Sequence, residues 1–254
     1  MNKQATRRRA RPPSIHRPDT REVAVAQVTD KYSEYPSNGL TPVKLAEIFK
    51  EADAGDILRQ AELFEEMEEK DPHLFSQLQT RKNAVTGLDF EIIPFDSDDE
   101  RDKEIAEFVE AQINGIEGLE DIMLDLLDAV GKGFAVSEIM WSYDGGHVVV
   151  GDIRSRHQKR FFWDTEDVFK VRTDEAPEGM ELPGNKFILH RYKARSGHPS
   201  RAGVLRVCAW MYLFKNYTLK DWVAFCEVYG MPLRLGKYQP GASEDDKRAL
   251  MQAL

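Results

Sequence analysis

The sequence predicts an α+β fold: a helical and antiparallel-β domain followed by one long helix. Three observations predict it. Helix start signals stand in tandem between residues 41 and 87, a hairpin-forming stretch spans 134–153, and an uninterrupted apolar run occupies 204–229. At 254 residues the chain is long enough for one or two ordinary cores.

Residues 1–40 read as a disordered basic arm. RRRARPPSIHRP is rich in Arg and Pro and offers little to bury, so only a neighbour would order it. Thr41 followed by Pro42 is an N-cap and a first-turn proline, opening a helix with Val43, Leu45, Ile48 and Phe49 that Gly55 can end. Asp56 then caps a second helix carrying Ile57, Leu58, Ala61, Phe64 and Met67 at helical spacing. Asp71-Pro72 repeats the signal for a third helix, which ends at Gly87.

LDFEIIP (88–94) alternates like a strand until Pro94 stops it. An acidic loop, FDSDDERD, leads into a helix with Ile105, Phe108, Val109 and Ile113. LEDIMLDLLDAV forms another, ending at Gly131 or Gly133. Residues 134–143 and 147–153 are strands joined by Asp144-Gly145-Gly146, a turn that suits a hairpin. Shorter strands follow at RFFW, VFKV and KFILH, so the sheet is antiparallel and residues 41–203 form one α+β domain.

Residues 204–229 contain no Gly or Pro, and Gly230 with Pro232 closes them. At 1.5 Å per residue this helix is roughly 40 Å long. Trp210, Phe214, Tyr217, Trp222, Phe225 and Tyr229, with Met211, Leu213, Leu219, Val223 and Val228, leave little of its circumference polar. Such a helix must be covered on several sides, and the small sheet before it cannot cover all of them. Lys215, Lys220, Asp221 and Glu227 argue against lipid. The six aromatic positions are therefore candidate subunit contacts. After GKYQPG, Ser243 and the acids behind it start a further helix, and the sequence stops within that pattern, which predicts a longer protein with the C-terminal half missing.

Charge is unevenly distributed about a net of −9. Residues 96–128 hold thirteen acids against Arg101 and Lys103, whereas 183–220 hold eight Lys or Arg and no acid. Blocks like these bear on partners rather than on fold. RSRHQKRFFWD (154–164) mixes cations with aromatics and can be read two ways. Arg156, Lys159 and Arg160, with Lys215 and Lys220, are candidates for contact with a partner or with DNA phosphates. The alternation in RFFW, however, suits aromatics turned toward a core.

Chemistry is otherwise sparse. None of the six histidines stands in an HExxH, HxH or HxxxH relation, and neither a GxSxG elbow nor a GxxxxGK[ST] loop is present. Gly131-Lys132-Gly133 reads as a helix end entering a strand. The cluster Asp96, Asp98, Asp99, Glu100 and Asp102 lacks the central glycine and terminal glutamate of a calcium loop. Cys208 and Cys226 form no CxxC pair and read as reduced, buried thiols. No catalytic residue, metal ligand or cofactor is expected.

RKNAVTGLDFEI, GKGFAVSEIMW, RHQKRFFWD and above all FKNYTLKDWVAFCEVYGMPLRLGKY resemble the Mu-like bacteriophage portal family over residues 40–254. The resemblance implies a non-enzymatic subunit of a twelve-membered ring at one vertex of the phage head, assembled in the host cytoplasm and built into the virion. It implies double-stranded DNA passing through the ring, and docking to the terminase motor, the major capsid protein and the head–tail connector, with no membrane partner. Residues 41–203 would be the wing, 204–230 the first stem helix and 231–254 the start of the clip. The acids at 96–128 would then keep DNA sliding rather than bound, while the basic block meets partners or adjacent subunits. Two other classes compete: a metal-dependent DNA-processing enzyme, which needs clustered carboxylates, and a generic virion adaptor that binds only protein.

Overall fold

The computed structural model describes residues 19–24, 36–230 and 235–253, and confirms an α+β architecture. Most of the basic arm, and the Met231-Pro232 motif, lie outside the described residues. The chain divides into two units, Met1–Ala209 and Trp210–Leu254.

In the first unit, α1 (Pro42–Asp53), α2 (Leu58–Lys70) and α3 (Pro72–Thr86) follow the sequence signals. The Thr41 hydroxyl accepts from Lys44 N at 3.3 Å, and the Asp71 carboxylate accepts from His73 N and Leu74 N. The expected cap of α2 is displaced. Ile57 occupies the cap position, and Asp56 reaches Leu58 N from outside the helix at 3.3 Å. Gly55 sits between α1 and α2 at φ +103°, where a Cβ would lie 2.1 Å from the carbonyl oxygen of Trp163. Only glycine allows that approach, and Trp163 N donates back to Gly55 O at 3.1 Å.

Residues 88–94 are not a strand. They connect α3 to α4 (Glu100–Asn114) and pair with no strand among the described residues. Alternation sets the side-chain pattern, yet a strand also needs a neighbour for its backbone groups. The helix expected from 119 also breaks. It becomes α5 (Leu119–Leu126) and a single turn, α6 (Ala129–Lys132), which ends at Gly133 with φ +100°.

The hairpin forms as expected from β1 (Phe134–Asp144) and β2 (His147–Arg156), with a register shift between Met140 and Trp141. On the other side β1 pairs antiparallel with β6 (Phe187–Arg191). A second sheet joins β3 (Phe161–Trp163), β4 (Phe169–Val171) and a two-residue β5 (Met180–Glu181) that the sequence had not marked. The core lies between the sheets and α1, with Phe134, Val136, Phe161, Trp163 and Val171 buried. Phe134 meets Trp163 edge-on at 5.1 Å, and Phe161 stacks on Phe169 at 5.3 Å. Phe161 and Trp163 of RFFW thus serve the core, each buried ring contributing about 2 kcal/mol, while half-buried Phe162 lies under the Arg172 guanidinium.

Part of the basic arm is ordered by its own chain. Residues 19–24 lie against the first sheet, where Val23 N and Ala24 N donate to the buried carboxylate of Glu138, and Ala24 is fully buried. Composition misses this because the contact needs only two backbone amides and one small side chain.

The last helices are α7 (Val204–Tyr229), with the bounds the sequence set, and α8 (Glu244–Ala253) in the second unit. Ser243 caps α8, its hydroxyl accepting from Asp246 N at 3.2 Å.

Candidate functional site

The first turns of α7 are fixed to the helical layer through Arg206. Its guanidinium stacks over the Phe49 ring at 4.2 Å, donates to Gln60 Oε1 at 2.8 Å and pairs with Asp53 at 2.9 Å. Gln60 in turn donates to Ser200 O, and Leu205 and Ala209 are buried. The loop before α7 is held as well: a Cβ on Gly133 would lie 2.4 Å from Pro199 O. Sequence reading missed Arg206, which looks like an ordinary basic residue until α1 and α2 are placed around it.

Beyond the first turns α7 changes character. Val207, Met211, Phe214, Trp222, Phe225 and Tyr229 are exposed, and with Thr218 they recur at three- or four-residue spacing. At 3.6 residues per turn this is one continuous stripe. Met211 is 65 %, Trp222 63 % and Tyr229 67 % accessible, values far from those of core residues. Tyr217, Leu219, Val223 and Val228 are exposed on other sides of the helix, so the apolar surface is not confined to one face. Asn216, Lys220 and Glu227 lie opposite the stripe by helical periodicity, and Lys215 lies on its flank. Of the six aromatic positions singled out, Trp210 is half-buried and the other five are exposed. Cys226 is exposed too, not buried as expected, because it falls on this uncovered surface; Cys208 is half-buried.

The other basic candidates divide. Arg156 is turned inward: its Nε donates to Glu138 at 3.0 Å and its Nη2 pairs with Glu22. Lys186, also buried, sits 3.6 Å from the same Glu138 carboxylate and donates to Asp19 O at 3.1 Å. Lys159 is buried, its ammonium without a hydrogen-bond partner among the described residues. Arg160 is half-exposed. An inward guanidinium held by two carboxylates cannot reach a phosphate, so Arg156 serves the fold, and burial leaves Lys159 no surface to present.

A second buried polar network braces the strands against α2 and α3. Asp128 accepts from Lys82 at 2.9 Å, from Lys132 at 2.7 Å and from Gln158 at 2.9 Å. Burial pushes the Asp128 carboxyl up, but the ammonium groups of Lys132 and Lys82 outweigh it and hold the group below the usual carboxylate range. Glu68 differs: burial raises it, and Lys132, 3.8 Å away, does not compensate. His157 pairs with Glu65 nearby. The cations here are already satisfied by carboxylates, so the network has the makings of a brace. Among the described residues no group of three or more His, Cys, Asp or Glu side chains is placed to hold a metal ion, and no helix is long and apolar enough to cross a membrane.

What the surface of α7 can do is pack. It presents large rings at a spacing that interlocks with another helix, and it offers few hydrogen-bonding groups to a small ligand. Comparison with known proteins bears on the partner. Residues 61–254 match the family described as "Portal protein of Mu bacteriophage". The chain is 37 % identical over 226 residues to the Mu-like prophage FluMu protein gp29 of Haemophilus influenzae, covering 88 % of this chain and 44 % of that protein. It is 34 % identical over 236 residues to the portal protein of Escherichia phage Mu, covering 92 % of this chain and 46 % of that protein. The chain therefore spans less than half the length of these curated relatives.

Proposed function

Because the chain belongs to the family of portal proteins of Mu bacteriophage, we propose that it forms the wing and first stem helix of a portal subunit. The family is structural rather than enzymatic, and portal proteins are oligomeric components of the phage virion. In this reading copies of the subunit close into a ring, with twelve members expected, at the head vertex. Double-stranded DNA passes through the ring during packaging and ejection. The terminase motor, the major capsid protein and the head–tail connector dock on it.

One observation carries the reading: α7 exposes Met211, Phe214, Trp222, Phe225 and Tyr229 together. Soluble monomers rarely leave so many large apolar side chains in one stretch uncovered. Helices packed side by side around a ring would cover them, through a head-to-tail interface that closes when the rotation per subunit fits. Residues 41–203 serve as the wing, 204–230 as the stem helix, and 231–254 as the entry to the clip. The stem contacts are Trp210, Phe214, Tyr217, Trp222, Phe225 and Tyr229, with Lys215 and Lys220 facing partners or DNA.

The test is the mass and image of the complete gene product. Rings of about a dozen copies, seen by native mass measurement and negative-stain microscopy, support the reading. A monodisperse monomer at micromolar concentration would sink it.

A further inference from the structure

Residues 89–94 belong to no helix, strand or turn, and none of their backbone N–H or C=O groups has a hydrogen-bond partner among the described residues. Leu88, Phe90, Ile93 and Phe95 are all exposed, Phe95 almost fully. An alternating sequence with unpaired backbone groups and exposed apolar side chains is the material of a strand without a sheet.

The same unit carries a sheet with one edge that no strand among the described residues pairs. In the sheet ordered β2-β1-β6, Ile139 N bonds to Lys186 O and Tyr192 N to Gly133 O. By antiparallel alternation Ile188 and His190 then face β1. Phe187, Leu189 and Arg191 point their backbone groups the other way, and no partner receives them among the described residues. The competing edges are partly capped or short. On β2, Val150 N donates to the Gln112 side chain at 3.2 Å. On β3, Trp163 N is taken by Gly55 O, and β5 has two residues.

Charge distinguishes the two surfaces. The unpaired segment carries Asp89 and Glu91 and runs into Asp96, Asp98 and Asp99, whereas β6 ends in exposed Arg191 and runs into Lys193 and Arg195. Either strand direction brings opposite signs together: the antiparallel one sets Asp89 and Glu91 beside Arg191, and the parallel one sets the loop acids there. Because 88–95 and β6 are not paired within one chain, the chemistry fits a second copy.

We propose that segment 88–95 of one subunit adds as a fourth strand to the unpaired edge of β6 in the next subunit. This rests on the ring reading and gives it a second contact, in the wing, independent of α7. A donor segment and an acceptor edge at different places on one subunit make a head-to-tail contact, the kind that generates rings.

The test uses cysteines in the complete gene product, placed at Leu88, Phe90 or Ile92 in turn together with Leu189→Cys. Mild oxidation should give a ladder of covalent oligomers that needs both cysteines, each single variant being the control. Glu91→Pro, which removes one N–H at an exposed position, should lower the assembled fraction at least tenfold while the far-UV spectrum and melting temperature of the monomer stay unchanged. Wild-type rings with no ladder from any cysteine pair, and with Glu91→Pro assembling normally, overturn the strand exchange and leave the ring standing. A wild-type protein that forms no rings overturns the ring itself.

Discussion

The rings of Phe225 and Tyr229 lie one helical turn apart on α7, their centroids 4.9 Å from each other and their planes tilted by 35°. Both are exposed, and Trp222 extends the same stripe. The pair shields part of each ring from water without burying either, so the helix has organised its aromatic surface before any partner arrives. In the ring reading, that surface is the subunit contact.

Replacing Trp222 and Phe225 by serine should therefore separate folding from assembly. Unfolding stability of the isolated chain should change by no more than about 0.5 kcal/mol, as at other exposed positions. The assembled fraction of the complete gene product, read by sedimentation velocity, should fall at least tenfold. A large loss of stability instead would mean that these rings serve the fold of the subunit itself.

Lys215 and Lys220 test the basic side of the same helix. Reversing both to glutamate should impair ring assembly or DNA packaging, read as ring yield and phage titre. Normal rings and normal titres from the double variant would remove them from the interface.

Glu138 holds residues 19–24 against the first sheet while meeting Arg156 and Lys186. Glu138→Gln keeps the shape but leaves two buried cations short of charge. Stability in urea should drop by about 3 kcal/mol, the scale for removing one member of a buried ion pair. Tryptic cleavage after Arg21, followed by mass spectrometry, should accelerate.

Asp128 gives a pH signature. Its folded-state value lies below the ordinary 3.8, so its contribution is fully present above about pH 4. That contribution is lost as pH falls through the lower folded value. Glu68, raised above 4.5, acts in the opposite sense: its contribution is present in acid and lost as pH rises through its folded value. Urea unfolding of the wild type should therefore weaken below pH 4. Asp128→Asn should be about 3 kcal/mol less stable at pH 7, because Lys82 and Lys132 lose their shared partner, and its acid limb should be flatter.

The sequence revealed elements whose cause is local. Gly230 and the absence of glycine or proline from 204–229 set the ends of α7, and Asp144-Gly145-Gly146 set the hairpin. It misled where the cause is distant. Residues 88–94 have the alternation of a strand, but pairing depends on a neighbour that the sequence does not name. Arg156 and Lys159 look like surface cations until Glu138 and the helices enclose them. The polar anchors Arg206 and Glu138 were invisible for the same reason, since each joins segments more than a hundred residues apart. The apolar character of α7 was legible from composition, because apolar and aromatic residues fill most of 204–229.

Hydroxyl-radical footprinting of the complete gene product, assembled and dissociated, reads that stripe most directly. The account predicts that Trp222, Phe225 and Tyr229 are labelled in the dissociated chain and protected at least severalfold in the assembled form. Equal labelling in the two states would contradict it, because the aromatic stripe would then still face water in the finished assembly.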